Sequence, residues 1–233
     1  MIMSSDVETE PLILSVETAT LAGSVSLVRG KDVLAGFAGD ASVSHSNTLL
    51  NDIDKILGDA RVDLTQIDMF AVASGPGSFT GLRIGIATVK GLAATLNSPC
   101  VGIPTLHAVA HSAGASRKTV ALLPAGRGEV FAQLFSVTNE GIVTSLDQAS
   151  HIAPQRLFEK YGSLESVVWC GEGALANRAL FEGDARWRIG QPTPNLAEHI
   201  SSLALSRFRE KQLEHPDGLQ AIYVRPSDAE LKV

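Results

Sequence analysis

The sequence predicts an α/β protein built as two lobes, on three observations. Strand-like and helix-like segments alternate along the chain, and the pattern breaks and restarts near Gly102 to Thr105. A long helical segment opens on the glycine-rich run Ala73-Ser-Gly-Pro-Gly-Ser-Phe-Thr-Gly-Leu-Arg-Ile-Gly85, directly after an apolar strand. The chain's 233 residues are 45% hydrophobic and 19% charged, which suits a packed core and excludes a disordered chain. A net charge of −6 argues against a broad basic face for nucleic acid. It leaves room for a nucleic-acid substrate held mainly by a partner.

Residues 1–11 are polar and acidic and read as a flexible tail. They have neither the basic start nor the apolar centre of a signal peptide. No apolar run approaches the ~20 residues that span a bilayer, so the expectation is a cytoplasmic protein. Residues 12–103 are expected to form the first lobe and 104–233 the second, with the C-terminal segment free to pack back on the first. Leu12-Ile-Leu-Ser-Val16, Gly23–Val28 and Asp32–Ala38 carry strand patterns, and the turn residues Arg29-Gly-Lys-Asp32 make them an antiparallel meander. Ser44 or Ser46 is placed to cap a helix with Leu49, Leu50, Ile53, Ile56 and Leu57 on one face, and Gly58 is its expected stop. A short connector over Asp63–Ile67 leads to a strand at Met69–Ala73.

The helix from Phe79 to Leu96 is apolar nearly all round. Leu82, Ile86, Val89, Ala93 and Leu96 make one stripe, and Ile84, Ala87, Gly91 and Ala94 make another. Such a helix is covered on both sides, either within one core or against a second chain. Beyond Pro99 come a strand at Cys100–Ile103 and a helix at Pro104–Ala113. Strands follow at Thr119–Ala125 and Glu129–Val137, then a helix at Pro154–Tyr161 and a strand at Ser166–Cys170. An amphipathic helix at Leu196–Leu213 ends the series. Cys100 and Cys170 are too few and too isolated for a disulfide framework or a zinc site, and read as small buried residues.

Gly75, Gly77, Gly81 and Gly85 lie in a strand-to-helix turn, where bare N–H groups are able to face an anion. The flanking chemistry is thin. Thr80-Gly-Leu-Arg83 lacks the lysine of a Walker A loop, and Ser78 is not in a Gly-x-Ser-x-Gly elbow. Arg83, one turn into the helix, is placed to meet an anion or to form an ion pair.

Several runs resemble the TsaB (YeaZ-like) family. Val16-Glu-Thr-Ala-Thr20 is similar to its opening motif, and Gly75–Gly85 reproduces its main signature. Pro99–Leu106, Gly128-Glu-Val-Phe131 and Ile222-Tyr-Val-Arg-Pro226 are similar to its later elements, in the same order. The resemblance implies an actin-like fold of the sugar-kinase/Hsp70 type. It also implies a role in making N6-threonylcarbamoyladenosine at tRNA position 37, as a non-catalytic subunit without cofactor or metal of its own. The implied partners are the catalytic paralogue TsaD, the TsaE-type ATPase, and a second copy through the same surface. ATP and metal would sit on those partner subunits, and tRNA would bind only to the complex. The implied interface lies on the helices 44–57 and 79–96, with candidates His45, Leu49, Leu50, Ile53, Leu57, Leu82, Arg83, Ile86, Ala87 and Lys90. On this reading the small residues at 81, 85, 87, 91 and 94 of the helix 79–96 let a partner backbone come close.

An enzyme of this fold is the rival reading, as a small-molecule kinase. Such kinases hold metal and phosphate with a first-strand carboxylate. Here Glu17 stands in place of the family's usual Asp, with Ala19 and Leu21 where glycine would help, so Glu17 and Thr18 read as a vestigial phosphate site. His107 and His111 are spaced to share a helix face. TsaD-like proteins carry a His-x-x-x-His pair on the equivalent helix, but that pair maps to Thr105 and Val109. The histidines here are displaced by about 200° around the helix and should point away from the metal position, toward the surface or the junction of the lobes. Pro124-Ala-Gly-Arg127 also departs from the Asp-Ala-Arg that is common in the family.

Overall fold

The computed structural model describes residues 10–40, 48–191 and 193–224. The meander forms as expected: β1 (Leu12–Glu17), β2 (Ser24–Arg29) and β3 (Asp32–Ala38) pair antiparallel in order. Helix α1 (Leu49–Ala60) follows, then β4 (Met69–Gly75), α2 (Phe79–Leu96) and β5 (Cys100–Pro104). Strands β4 and β5 extend the sheet in parallel on the far side of β1, giving the order β3-β2-β1-β4-β5.

The second half repeats this plan. After α3 (Thr105–Ser112), β6 (Ser116–Gly126) and β7 (Glu129–Val137) form an antiparallel pair. The short strands β8 (Val143–Ser145) and β9 (Ser150–Ile152) both pair with β7. Helix α4 (Leu157–Tyr161) leads to β10 (Val167–Cys170), α5 (Glu172–Ala176), β11 (Trp187–Ile189) and α6 (Leu196–Arg209). Strands β10 and β11 run parallel to β6 on its other side. In each half a three-strand meander is therefore followed by two parallel strands beside its first strand.

The layers follow from which faces are apolar. Phe70 and Val72 of β4 face α1 and α2, while Met69, Ala71 and Ala73 face the middle of the molecule. Both faces of the strand are buried, so its sequence reads as a continuous apolar run. The middle layer is α3 and α6, packed on each other. Helix α6 lies chiefly on the first sheet, although its sequence follows the second, and α3 lies chiefly on β6 and β7. The two halves are thus interlocked.

Several boundaries differ from the sequence reading. Gly58 does not stop α1, because it keeps a negative φ; the helix ends where Arg61 turns left-handed at φ 54°. Helix α6 stops at Arg209, short of Leu213, and Lys211 is left-handed at φ 57°. Residues 154–156 are a 3₁₀ turn before α4, and Asp63–Gln66 forms a capped 3₁₀ turn rather than a plain connector. Thr48 directly precedes α1; Ser44, His45 and Ser46 lie outside the described residues, as do 1–9 and 225–233. Among the described residues, no helix is long and apolar enough to cross a membrane.

The outer face of the second sheet is held by Trp169, whose ring stacks on Phe181 at 4.2 Å and meets Trp187 edge-on at 5.4 Å. Trp169→Ala is expected to cost ~3–5 kcal/mol in urea unfolding, because the void lies under three elements that cannot all collapse into it. A loss below 1 kcal/mol would mean that this aromatic cluster does not hold the lobe together.

Candidate functional site

The glycine-rich turn is shaped by the chain's own first strand. A side chain at Gly77 would place its Cβ 2.5 Å from Ala19 O, and one at Gly81 would overlap the Thr18 carbonyl outright. At Gly85 it would overlap Thr18 Oγ1. Gly75 sits at φ +112°, with Ile222 O lying 2.5 Å from where a Cβ would stand. Hydrogen bonds complete the junction. Ser78 N–H donates to Ala19 O at 2.8 Å, and Thr18 Oγ1 donates to Gly81 O at 2.7 Å. Ser78 Oγ caps α2 by accepting from Gly81 N–H at 3.2 Å, and Gly75 N–H donates to Thr105 Oγ1 at 3.1 Å. These N–H groups are therefore committed within the chain rather than offered to an anion. The close approach that Gly81 and Gly85 permit is to Thr18 of this chain, not to a partner.

Beside that turn lies a cleft of about 660 Å³ between the halves. Its walls are the β1–β2 turn (Ala19–Leu21), the glycine-rich turn, the β6–β7 corner (Leu123–Gly126) and the closing segment Ile222–Val224. At its mouth the Arg83 guanidinium lies 3.9 Å from the centre of the Phe79 ring, and Phe79 contacts Tyr223 at 5.5 Å between ring centres. A smaller cavity behind it is lined by Glu17, Thr20, Val109 and Glu172.

Glu17 is 1% exposed, and both its oxygens close the β1–β2 turn. Oε1 accepts from Thr20 N–H and Oε2 from Thr20 Oγ1, each at 2.7 Å. Burial pushes its carboxyl above the usual range, with the charge of Glu172 adding to the rise. Glu172 is itself raised by burial. The predicted vestigial pair is thus spent on local structure: Glu17 on its own turn, Thr18 on α2. Glu172 was missed in the sequence, although its signal was present. The segment Cys170-Gly-Glu-Gly173 follows β10 as the glycine-rich run follows β4, and a Cβ on Gly171 would overlap Leu122 O of β6.

The histidines of α3 point away from these cavities, as expected. His107 Nε2 lies 3.3 Å from Ser145 Oγ, and its ring meets Phe135 edge-on. His111 Nδ1 lies 2.9 Å from His199 Nδ1 of α6. The positions that map onto the His-x-x-x-His pair are Thr105, bonded to Gly75, and Val109, which faces the inner cavity beside Glu17 and Glu172. An apolar side chain stands where a ligand would be needed. Among the described residues no group of three or more His, Cys, Asp or Glu is placed to hold a metal ion. Cys100 and Cys170 are buried, and burial pushes their thiols up to about 11 and about 12.

The two helices proposed as an interface divide cleanly by exposure. Leu49, Ile53, Leu57, Leu82 and Ile86 are enclosed in the chain's own core, which removes them from any docking surface. Leu50, Arg83 and Ala87 are exposed, as are Gly91 and Ala94 on the same side of α2 as Ala87. Lys90 is half-buried and donates to Asp217 O at 3.4 Å. The inner stripe of α2 is core, and its outer stripe of small residues is bare.

Two halves on one sheet plan, closing over a cleft, define a two-lobed protein of the actin-like fold. The solved structure of YeaZ from Pseudomonas aeruginosa superposes with a TM-score of 0.77 at 24% identity, over 91% of this chain and 99% of that one. The tRNA threonylcarbamoyladenosine biosynthesis protein TsaB of Escherichia coli is 31% identical over 219 residues, 91% of this chain and 94% of that one. TsaB of Haemophilus influenzae is 35% identical over 209 residues, 88% of this chain and 78% of that one. The family model described as TsaD, tRNA N6-adenosine threonylcarbamoyltransferase, matches residues 39–206. The chain belongs to the TsaB (YeaZ-like) family.

Proposed function

We propose that the chain is a non-catalytic, activating subunit of the machinery that forms N6-threonylcarbamoyladenosine in tRNA. It acts by docking on the paralogous TsaD transferase through α1 and α2. The bare outer stripe of α2 carries this reading: Ala87, Gly91 and Ala94 lie exposed on a helix whose other face is fully packed. Small side chains let a partner helix approach closely, and the exposed Leu50 of α1 and Arg83 of α2 supply an apolar and a cationic contact. The commitment of Glu17 to its own turn and the presence of Val109 at a would-be ligand position disfavour catalysis by this chain. On the same reading TsaE joins the complex, ATP and metal are held by the partner subunits, and tRNA is met only there. A second copy competes for the same face, in the cytoplasm.

Co-expression with a TsaD homologue tests this. The expected result is a stable heterodimer on sizing and tRNA modification only when both subunits and TsaE are present. Modification by this chain alone would sink the proposal. Calorimetric ATP binding to the isolated chain, with turnover, would favour the rival kinase.

A further inference from the structure

The middle layer holds a polar contact that the docking role leaves unused. His111 on α3 and His199 on α6 face each other, Nδ1 to Nδ1, at 2.9 Å, and both rings are half-buried. One of the two atoms must carry the proton, and the neighbouring contacts decide which. His199 Nε2 lies 3.2 Å from Thr193 Oγ1, and that hydroxyl already donates to Asn195 O at 3.2 Å. With that hydroxyl proton on Asn195 O, His199 donates from Nε2, which leaves its Nδ1 bare as the acceptor. His111 donates from Nδ1, and its Nε2 faces Gly141, where a Cβ would come within 2.9 Å.

We propose that this imidazole pair is a proton-sensitive clasp between the two helices of the middle layer, opened when His199 Nδ1 takes a proton. A proton on His111 Nε2 leaves the contact intact. One on His199 Nδ1 sets two donors against each other. The clasp continues from His199 through Thr193 to Asn195, whose side chain caps α6 by accepting from Ala197 N–H at 3.0 Å and donates to Val25 O of β2 at 3.2 Å. Opening it frees α3, seated on the second sheet, from the chain of bonds to the first.

Among the described residues, no carboxylate lies within ion-pair distance of either ring. His107 stands one turn before His111 on α3, and burial first, then the charge of Arg207 on α6, lower it to about 4. Glu198 adjoins His199 on α6, and Glu140 adjoins Gly141 in the β7–β8 turn. Neither carboxylate accounts for the displaced titrations: burial lowers His111, while burial and then His111 lower His199 to about 4, from an ordinary 6.5. The unfolded chain takes up these protons as pH falls through 6.5, and the folded chain resists them. The contribution is fully present above pH 6.5 and is lost as pH falls toward 4.

Ring NMR of the ¹⁵N-labelled wild-type chain needs no variant. At pH 7.5 it should show His111 protonated at Nδ1 and His199 at Nε2, with His199 titrating near 4. Both rings in the Nε2–H form, or His199 titrating near 6.5, would overturn the clasp. In His199→Asn a non-titrating oxygen takes the acceptor place. Its urea midpoint should fall less than that of the wild type between pH 6.5 and 4, with His107 acting equally in both. Amide exchange, corrected for intrinsic rates, should speed up selectively in α3 and α6 of the wild type over that range. Identical pH profiles in the two proteins would also overturn it.

Discussion

Gly81→Ala is expected to cost about 3 kcal/mol or more, or to prevent folding altogether, although alanine is the better helix former. The added methyl would overlap the carbonyl oxygen of Thr18, a backbone atom directly after β1 that cannot swing aside. Relief requires α2 to lift away from the first strand. That would break the Ser78 N–H bond to Ala19 O and the Thr18 hydroxyl bond to Gly81 O. Gly91→Ala is the matched control on the same helix. Nothing lies within 4 Å of its added methyl, so it should stabilise the isolated chain by ~0.5–1 kcal/mol. Urea unfolding of the two variants side by side measures the difference. Equal effects would mean that the close approach of α2 to β1 is not what these glycines serve.

The neighbours Ile86 and Ala87 separate core from docking surface. Ile86 is 8% exposed in the cluster between α2 and the first sheet, so Ile86→Glu buries a carboxyl without a partner and should cost at least ~3 kcal/mol. Ala87 points outward, and Ala87→Arg should change the stability of the free chain by no more than ~0.5 kcal/mol. On the proposed docking face, however, the long cation would hold the partner helix off. Binding to the TsaD homologue should weaken ~30-fold or more, equivalent to ~2 kcal/mol. Calorimetric unfolding and co-purification measure the two quantities separately. An Ala87→Arg chain that is folded and still binds at full strength would place the interface elsewhere.

Much of the architecture was legible because it depends on neighbours in sequence. The alternation in β2 and the turn at Arg29–Asp32 gave the meander, and the 3.6-residue period gave α2 its full span from Phe79 to Leu96. The strands β8, β9 and β11 were not legible. Each has three residues, too few for a period to show, and each exists because β7 or β10 offers it an edge. The interface residues show the same limit. Leu49, Ile53 and Leu57 are as apolar as a docking stripe would be, and only the placement of β2 and β3 beneath α1 makes them core.

What this sequence determined by itself is the order of its elements, the family signature at Gly75–Gly85, and the misfit of His107 and His111 with a ligand pair. What only the tertiary structure decided is the use made of each. It turned the glycines toward Thr18, 63 residues away along the chain from Gly81, gave Glu17 to its own turn, and set His111 against His199, 88 residues apart. The reason is physical: local periods record the conformation a segment prefers, whereas coverage and proton placement depend on which distant surface arrives against it.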